Sequence, residues 1–214
     1  MNKIFTLLAF IGIVSIASAQ TSKDILDKLS AKAKTYKTMS ADFTSTLVDP
    51  KAKLNQQQTG SVKIKGQKYN INLSDYVVIS DGVTVWSYSK KDNECTIDNL
   101  EDVKDGSFDP SDMFTLWEKD FRHEMKNAAI TEDAIASYQI ALYPSDPKDK
   151  PYHTIMMYVD KAKMEVHKIV VKQREGGEIT YKVKNFKTNM ELPDTDFQFN
   201  KTKYPGCEMT DNRI

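Results

Sequence analysis

Glycine is scarce in this chain, 8 residues in 214, and the glycine-dependent phosphate sites are missing with it: there is no Gly-x-Gly-x-x-Gly turn and no phosphate-cradling loop. A Gly-x-Ser-x-Gly elbow, which would expose a nucleophilic serine, is also lacking. Only three histidines occur. His123, His153 and His167 stand 30 and 14 residues apart, with no His-x-x-x-His or Glu-x-x-His spacing to place two ligands on one element, so each reads as an ordinary strand residue and no metal is expected. Asp81 beside Gly82 and Glu94 beside Cys95 read as a turn aspartate and a solvated edge charge rather than as catalytic acids. Enzyme chemistry therefore has no anchor, and neither catalytic activity nor a cofactor is expected.

Net charge is absent too. Thirty Lys and Arg balance 30 Asp and Glu, which excludes a general nucleic-acid binder, whose affinity needs a basic surface. Cysteine is limited to Cys95 and Cys207, and neither lies in a Cys-x-x-Cys pattern. They are either a disulfide pair or two separate buried thiols, with the bridge preferred if the protein works in an oxidising compartment.

Long apolar runs are confined to the first residues. Basic Met1-Asn2-Lys3 precedes an uncharged apolar stretch over residues 4–16, which closes with Ala17-Ser18-Ala19. That stretch is too short to span a hydrocarbon core of about 30 Å, and small residues at positions 17 and 19 suit a signal peptidase. Residues 1–19 are thus expected to be a cleaved secretory signal, leaving residues 20–214 as one exported domain. No cysteine stands at the cleavage point to carry a lipid.

After the signal, apolar Ile25, Leu26, Leu29, Ala33 and Tyr36 recur at three- and four-residue spacings, predicting an amphipathic helix over residues 22–39 with Ser22 as its N-cap. The period then becomes two. Strands are expected over residues 41–48, 60–65, 68–73, 76–80, 83–89, 95–100, 121–126, 135–143, 153–160, 164–174 and 178–186, separated by Gly66, Asp81-Gly82, the 144–151 segment, the 160–163 segment and Glu175-Gly176-Gly177. Short strands in close succession favour an antiparallel meander. One interruption, residues 109–120, begins Asp109-Pro110 like a helix and crowds Met113, Phe114, Leu116 and Trp117 into a short element, suited to packing on a sheet face or covering a cavity mouth.

Alternation sorts the strands into faces. Tyr69, Ile71 and Leu73 share one side of their strand, with Lys68, Asn70 and Asn72 on the other. Trp86 and Tyr88 form a similar pair, as do Ile155, Met157 and Val159. Periodicity alone does not separate a filled core from a lined cavity.

Four segments carry a resemblance that does. Met39-Ser40-Ala41-Asp42-Phe43-Thr44, Gly60-Ser61-Val62-Lys63-Ile64-Lys65 followed by Tyr69-Asn70-Ile71, the hairpin Val78-Ile79-Ser80-Asp81-Gly82-Val83-Thr84-Val85-Trp86-Ser87-Tyr88, and Leu192-Pro193-Asp194 to Phe199 with the closing Pro205-Gly206 to Asp211 lie in the order and spacing of one family. Together they resemble the periplasmic lipoprotein carrier LolA family over essentially the whole exported chain. The resemblance implies a mainly β fold with short helices, an unclosed antiparallel β-barrel under a helical lid, enclosing an apolar cavity for the acyl chains of lipoproteins. It further implies a periplasmic shuttle without catalytic activity, loaded by an inner-membrane lipoprotein-releasing ABC transporter and unloaded at an outer-membrane acceptor.

By position in the matching strands, Phe43, Tyr69, Ile71, Leu73 and Val78 are expected to line the cavity, with Met113, Phe114, Leu116 and Trp117 in the lid. One departure stands out. Well-known members carry Lys-Arg-Pro where this chain has Lys65-Gly66-Gln67, so the arginine that latches their lid is missing. The alternative reading is an envelope-stress regulator that senses lipids or lipoproteins with the same fold; such regulators carry a second domain, whereas this sequence ends at Ile214.

Overall fold

The computed structural model describes residues 21–104, 115–118, 120–148 and 150–213. The expected signal over residues 1–19 lies outside them.

Helix α1 covers Ser22–Ala33. Its N-cap is Thr21 rather than Ser22: the Thr21 hydroxyl accepts from the Asp24 amide at 3.2 Å and the Asp24 carboxylate accepts from the Thr21 amide at 3.0 Å, a reciprocal capping box. The helix stops short of the expected residue 39, because Met39 already pairs across the sheet with Ile64 and Thr188.

Twelve strands follow: β1 Met39–Asp49, β2 Leu54–Lys65, β3 Lys68–Leu73, β4 Tyr76–Ser80, β5 Thr84–Ser89, β6 Glu94–Asn99, β7 Phe121–Glu132, β8 Ile135–Pro144, β9 Tyr152–Asp160, β10 Glu165–Gln173, β11 Glu178–Thr188 and β12 Glu208–Asp211. A short helix α2, Leu100–Lys104, follows β6, and a 3₁₀ turn at Leu116–Glu118 precedes β7. All strands belong to one sheet in the order β12-β6-β5-β4-β3-β2-β1-β11-β10-β9-β8-β7. Two meanders thus meet where β11 returns to pair with β1, and the outermost strands, β12 and β7, are not paired with each other. The sheet is not closed. All pairs are antiparallel except β12 on β6.

Eleven of the strands stand where alternation put them, with shifted ends. β2 begins six residues before the expected start, since Leu54 and the polar run Asn55-Gln56-Gln57-Gln58-Thr59 pair in register with β1 from Asp49 to Thr44. β12 and α2 were not anticipated. The four β12 residues are all exposed and have no apolar alternation; only their pairing with Glu94 to Ile97 makes them a strand.

Strand parity and register divide the sheet into an inner face, on which α1 and α2 pack, and an outer face. α1 lays Ile25, Leu26 and Leu29 against Tyr138, Ile140, Leu142, Ile155, Met157 and Val159. α2 adds Leu100 to a second cluster of Ala41, Val62, Ile64, Tyr69 and Val85. On the outer face of β4 to β6, Val77, Ile79, Tyr88, Cys95 and Cys207 pack together under the C-terminal segment, whose Phe199 and Tyr204 rings stack at 4.9 Å while Tyr204 lies 4.3 Å from Tyr88. Farther along that face Asp194 binds Lys65 at 2.9 Å and Lys68 at 3.2 Å, and Asp196 binds Lys63 at 2.9 Å.

Candidate functional site

The register aligns apolar side chains across the middle of the inner face. Val183 of β11 is opposite Phe43 of β1, Phe43 is opposite Gly60 of β2, and Gly60 is opposite Leu73 of β3. One pleat towards α2 the row reads Ala41, Val62, Ile71 and Val78. Two pleats the other way it reads Leu47, Ile179 and Val171. Phe43, Leu47, Ile71, Leu73, Val78, Ile179 and Val183 are all half-buried. That state is unusual for so many large apolar groups in adjacent strands: neither sealed, as under α1, nor fully in water.

Glycine has a specific use here. A Cβ on Gly60 would stand 2.6 Å from Phe43 Cζ and 2.9 Å from Leu73 Cδ2, so the missing side chain lets these two residues lean together over β2. Phe43, Tyr69, Ile71 and Val78 belong to or pack against one cluster, and Leu73 continues their face. Tyr69, 2% exposed, is the base of that cluster, whereas the other four carry its accessible surface.

Of the expected lid, Met113, Phe114 and the side chain of Leu116 lie outside the described residues. Trp117 is buried in the α1 cluster, and its indole Nε1–H donates to Ser30 Oγ at 2.8 Å. Lys34, the C-cap of α1, reaches Glu118 at 2.8 Å. This ties the 3₁₀ turn to α1 beside a depression of about 450 Å³ that Leu26, Ser30, Trp117 and His123 help to line.

A second depression, about 560 Å³, lies over the same strands as the apolar rows. By strand parity, however, its polar residues Asp42, Thr44, Thr59, Ser61 and Asn72 belong to the outer face. Phe43, Gly60 and Leu73 also border it, but its polar groups place it on the back of the sheet.

The position of the missing latch arginine has a local explanation. Gly66, with φ of +59°, makes the tight β2–β3 turn, and Lys65 points to the outer face, where its Nζ donates to Asp194 and to the Leu192 carbonyl. The segment is held to the C-terminal strap instead.

The histidines have separate partners: His123 contacts Ser22, His153 contacts Thr154 and His167 contacts Ser137. Among the described residues no group of His, Cys, Asp and Glu is placed to hold a metal. Asp81 accepts from the amides of Val83 at 3.0 Å and Thr84 at 2.9 Å, closing a turn, and Glu94 is exposed. Cys95 and Cys207 are both buried thiols in the outer-face cluster, donating to the carbonyls of Thr96 and Glu208. Burial, with the neighbouring Cys207 adding to it, pushes the Cys95 thiol up to about 11.

The described residues form an open, mainly antiparallel sheet with a half-covered apolar face, and the sequence comparison specifies the family. The chain belongs to the outer membrane lipoprotein carrier protein LolA family, whose model matches residues 34–200. An uncharacterised protein of Methanocaldococcus jannaschii is 24% identical over 201 residues, 92% of this chain and 57% of its own length; this chain thus spans little more than half of that relative. An uncharacterised conserved protein from Thermus thermophilus shares the fold, with a TM-score of 0.59 and 10% identity over 89% of this chain and 98% of that one. The Mycobacterium tuberculosis lipoprotein LppX aligns with a TM-score of 0.49 and 11% identity, over 80% of this chain and 100% of its own.

Proposed function

We propose that this protein is a periplasmic carrier that shelters the acyl chains of lipoproteins on its inner face and shuttles them from the inner to the outer membrane. One observation carries the reading: β10, β11, β1, β3 and β4, on either side of β2 with its Gly60, present half-buried large apolar side chains on the face that bears α1 and α2. At about 0.8 kcal/mol per methylene, several acyl chains face tens of kcal/mol against passage through water. A half-covered apolar floor offers them an alternative to the bilayer. Phe43, Ile71, Leu73 and Val78 would touch the chains, Tyr69 would support them, and the segment from Met113 to Trp117 would close over them. The donor would be an inner-membrane lipoprotein-releasing ABC transporter and the recipient an outer-membrane acceptor.

The test is displacement of a fluorescent fatty-acyl probe by wild type and Leu73→Glu. A carboxylate on a wide floor can find water in the empty protein, so the fold should survive while probe affinity drops at least tenfold. Wild type that takes up no probe ends the carrier reading.

Export would remove residues 1–19, and oxidation in the periplasm would convert the Cys95 and Cys207 thiols to a disulfide by exchange with a disulfide donor. The bridge would fasten the start of β12 to β6, for up to about 4 to 5 kcal/mol in the chain-entropy model. Non-reducing peptide mapping of exported protein checks both points. It should find Gln20 at the N-terminus and the two cysteines in one linked peptide; free thiols in freshly isolated material would refute the bridge.

A further inference from the structure

A polar row crosses the middle of the apolar inner face. Tyr181 of β11 is opposite Ser45 of β1, and Ser45 is opposite Gln58 of β2. All three are half-buried on the inner face, between the Val183–Phe43–Gly60–Leu73 row and the row containing Leu47 and Ile179. None of these three side chains has a hydrogen-bond partner among the described residues, although the hydroxyls and the amide all require one when desolvated. The Tyr181 phenol is a neutral donor, and burial pushes its ionisation further up.

We infer that the row is a subsite for the ester or amide carbonyls that join acyl chains to the headgroup of the cargo. This rests on the carrier reading and adds to it which part of the ligand sits where. Three adjacent strands span about 10 Å, room for two neighbouring carbonyls. The three residues offer uncharged donors, and the flanking inner-face positions Phe43, Leu47, Gly60, Ile179 and Val183 carry no charge. A carboxylate or phosphate would be left without a cation there, whereas a neutral carbonyl would be satisfied. Alkyl chains would then run from the row towards Phe43, Ile71 and Val78. Position along the strands is thereby set by hydrogen bonds, which the non-directional apolar contacts cannot do.

The experiment compares 1,2-dioctanoylglycerol with 1,2-dioctylglycerol, its diether counterpart without carbonyls, as competitors for a fluorescent acyl probe. Wild type should prefer the ester by about three- to tenfold, the worth of one or two net hydrogen bonds. Tyr181→Phe, which removes one unpaired hydroxyl and should leave thermal unfolding unchanged, should erase most of that preference through weaker ester binding, with diether affinity intact. Ser45→Ala should do the same in smaller measure. Equal displacement by ester and ether in wild type overturns the subsite while leaving the carrier reading in place. So does a Tyr181→Phe that weakens both ligands alike, since the ring would then act through shape. Displacement by neither ligand removes the carrier reading and the subsite together.

Discussion

Two halves of the inner face are built from the same kind of strand yet end in different states. On β8 and β9, Ile140, Leu142, Met157 and Val159 are fully buried at 0% exposure, because α1 lays Ile25, Leu26 and Leu29 across them and Trp117 fills the corner. On β1, β3 and β11, Phe43, Ile71, Leu73 and Val183 alternate in the same way but remain half-buried. Side-chain type does not separate the halves. The covering helix does: one apolar stripe on 12 residues shields only the strands it crosses. A close-packed core is intolerant of change, whereas a partly covered floor has room and can exchange its cover for a ligand.

The sharpest way to break this comparison is to put the same charge into each half. Leu142→Glu buries an unpaired carboxylate in the sealed half, which costs several kcal/mol or forces its protonation, and the domain should largely unfold at neutral pH. Leu73→Glu should lower the melting temperature by only a few degrees, its loss appearing in acyl-probe binding. Comparable unfolding of both variants would show that the open half is core.

Cavity formation gives a smaller contrast. Met157→Ala removes a fully buried side chain and should cost about 2 to 5 kcal/mol in urea unfolding, while Ile71→Ala on the floor should cost less than half as much. The sealed half should bind acyl probe no better after the Met157 change.

The tie between Trp117 and α1 is next in size. Trp117→Phe keeps most of the apolar contact but leaves the buried Ser30 hydroxyl without its donor, a loss of about 1 to 3 kcal/mol. If the 3₁₀ turn also bears the lid, the variant should release probe faster, measured by stopped flow, with little change at the floor.

The smallest effect is a titration on the back of the sheet, where His167 of β10 contacts Ser137 of β8. Burial lowers the His167 pKa below 6.5, against the pull of Asp160, Asp133 and Glu132, with Lys168 adding to the burial effect. A base with a depressed folded pKa takes up its proton first in the unfolded chain. Its contribution to stability is therefore complete above pH 6.5 and declines as the pH falls from there towards the folded value. Denaturant midpoints measured from pH 7.5 to 5 should fall in wild type, and His167→Gln should flatten that part of the profile.

Much of this architecture was legible because the strands alternate cleanly. Tyr69, Ile71 and Leu73 could be assigned to one face from period two alone, and register agrees, pairing them with Ile64, Val62 and Gly60. Gly60 is legible in sequence only as the start of a matching segment; its use lies in the approach of Phe43 and Leu73 across β2, which register alone creates. The polar row is illegible for a related reason: Tyr181 joins Ser45 and Gln58 only when β11 returns to β1, and in isolation each is an ordinary strand residue. β12 had no pattern to read, being exposed at every position.

Residue order by itself determined the number and faces of nearly all the strands, the amphipathic helix at their start and the membership in a carrier family, because side-chain alternation and local turn chemistry act within a few residues of one another. Tertiary structure alone decided which alternating face is sealed and which stays open. That outcome depends on where α1, α2 and the C-terminal strap come to lie, and these are contacts between segments as much as 130 residues apart, such as Lys65 with Asp194 or Ser30 with Trp117.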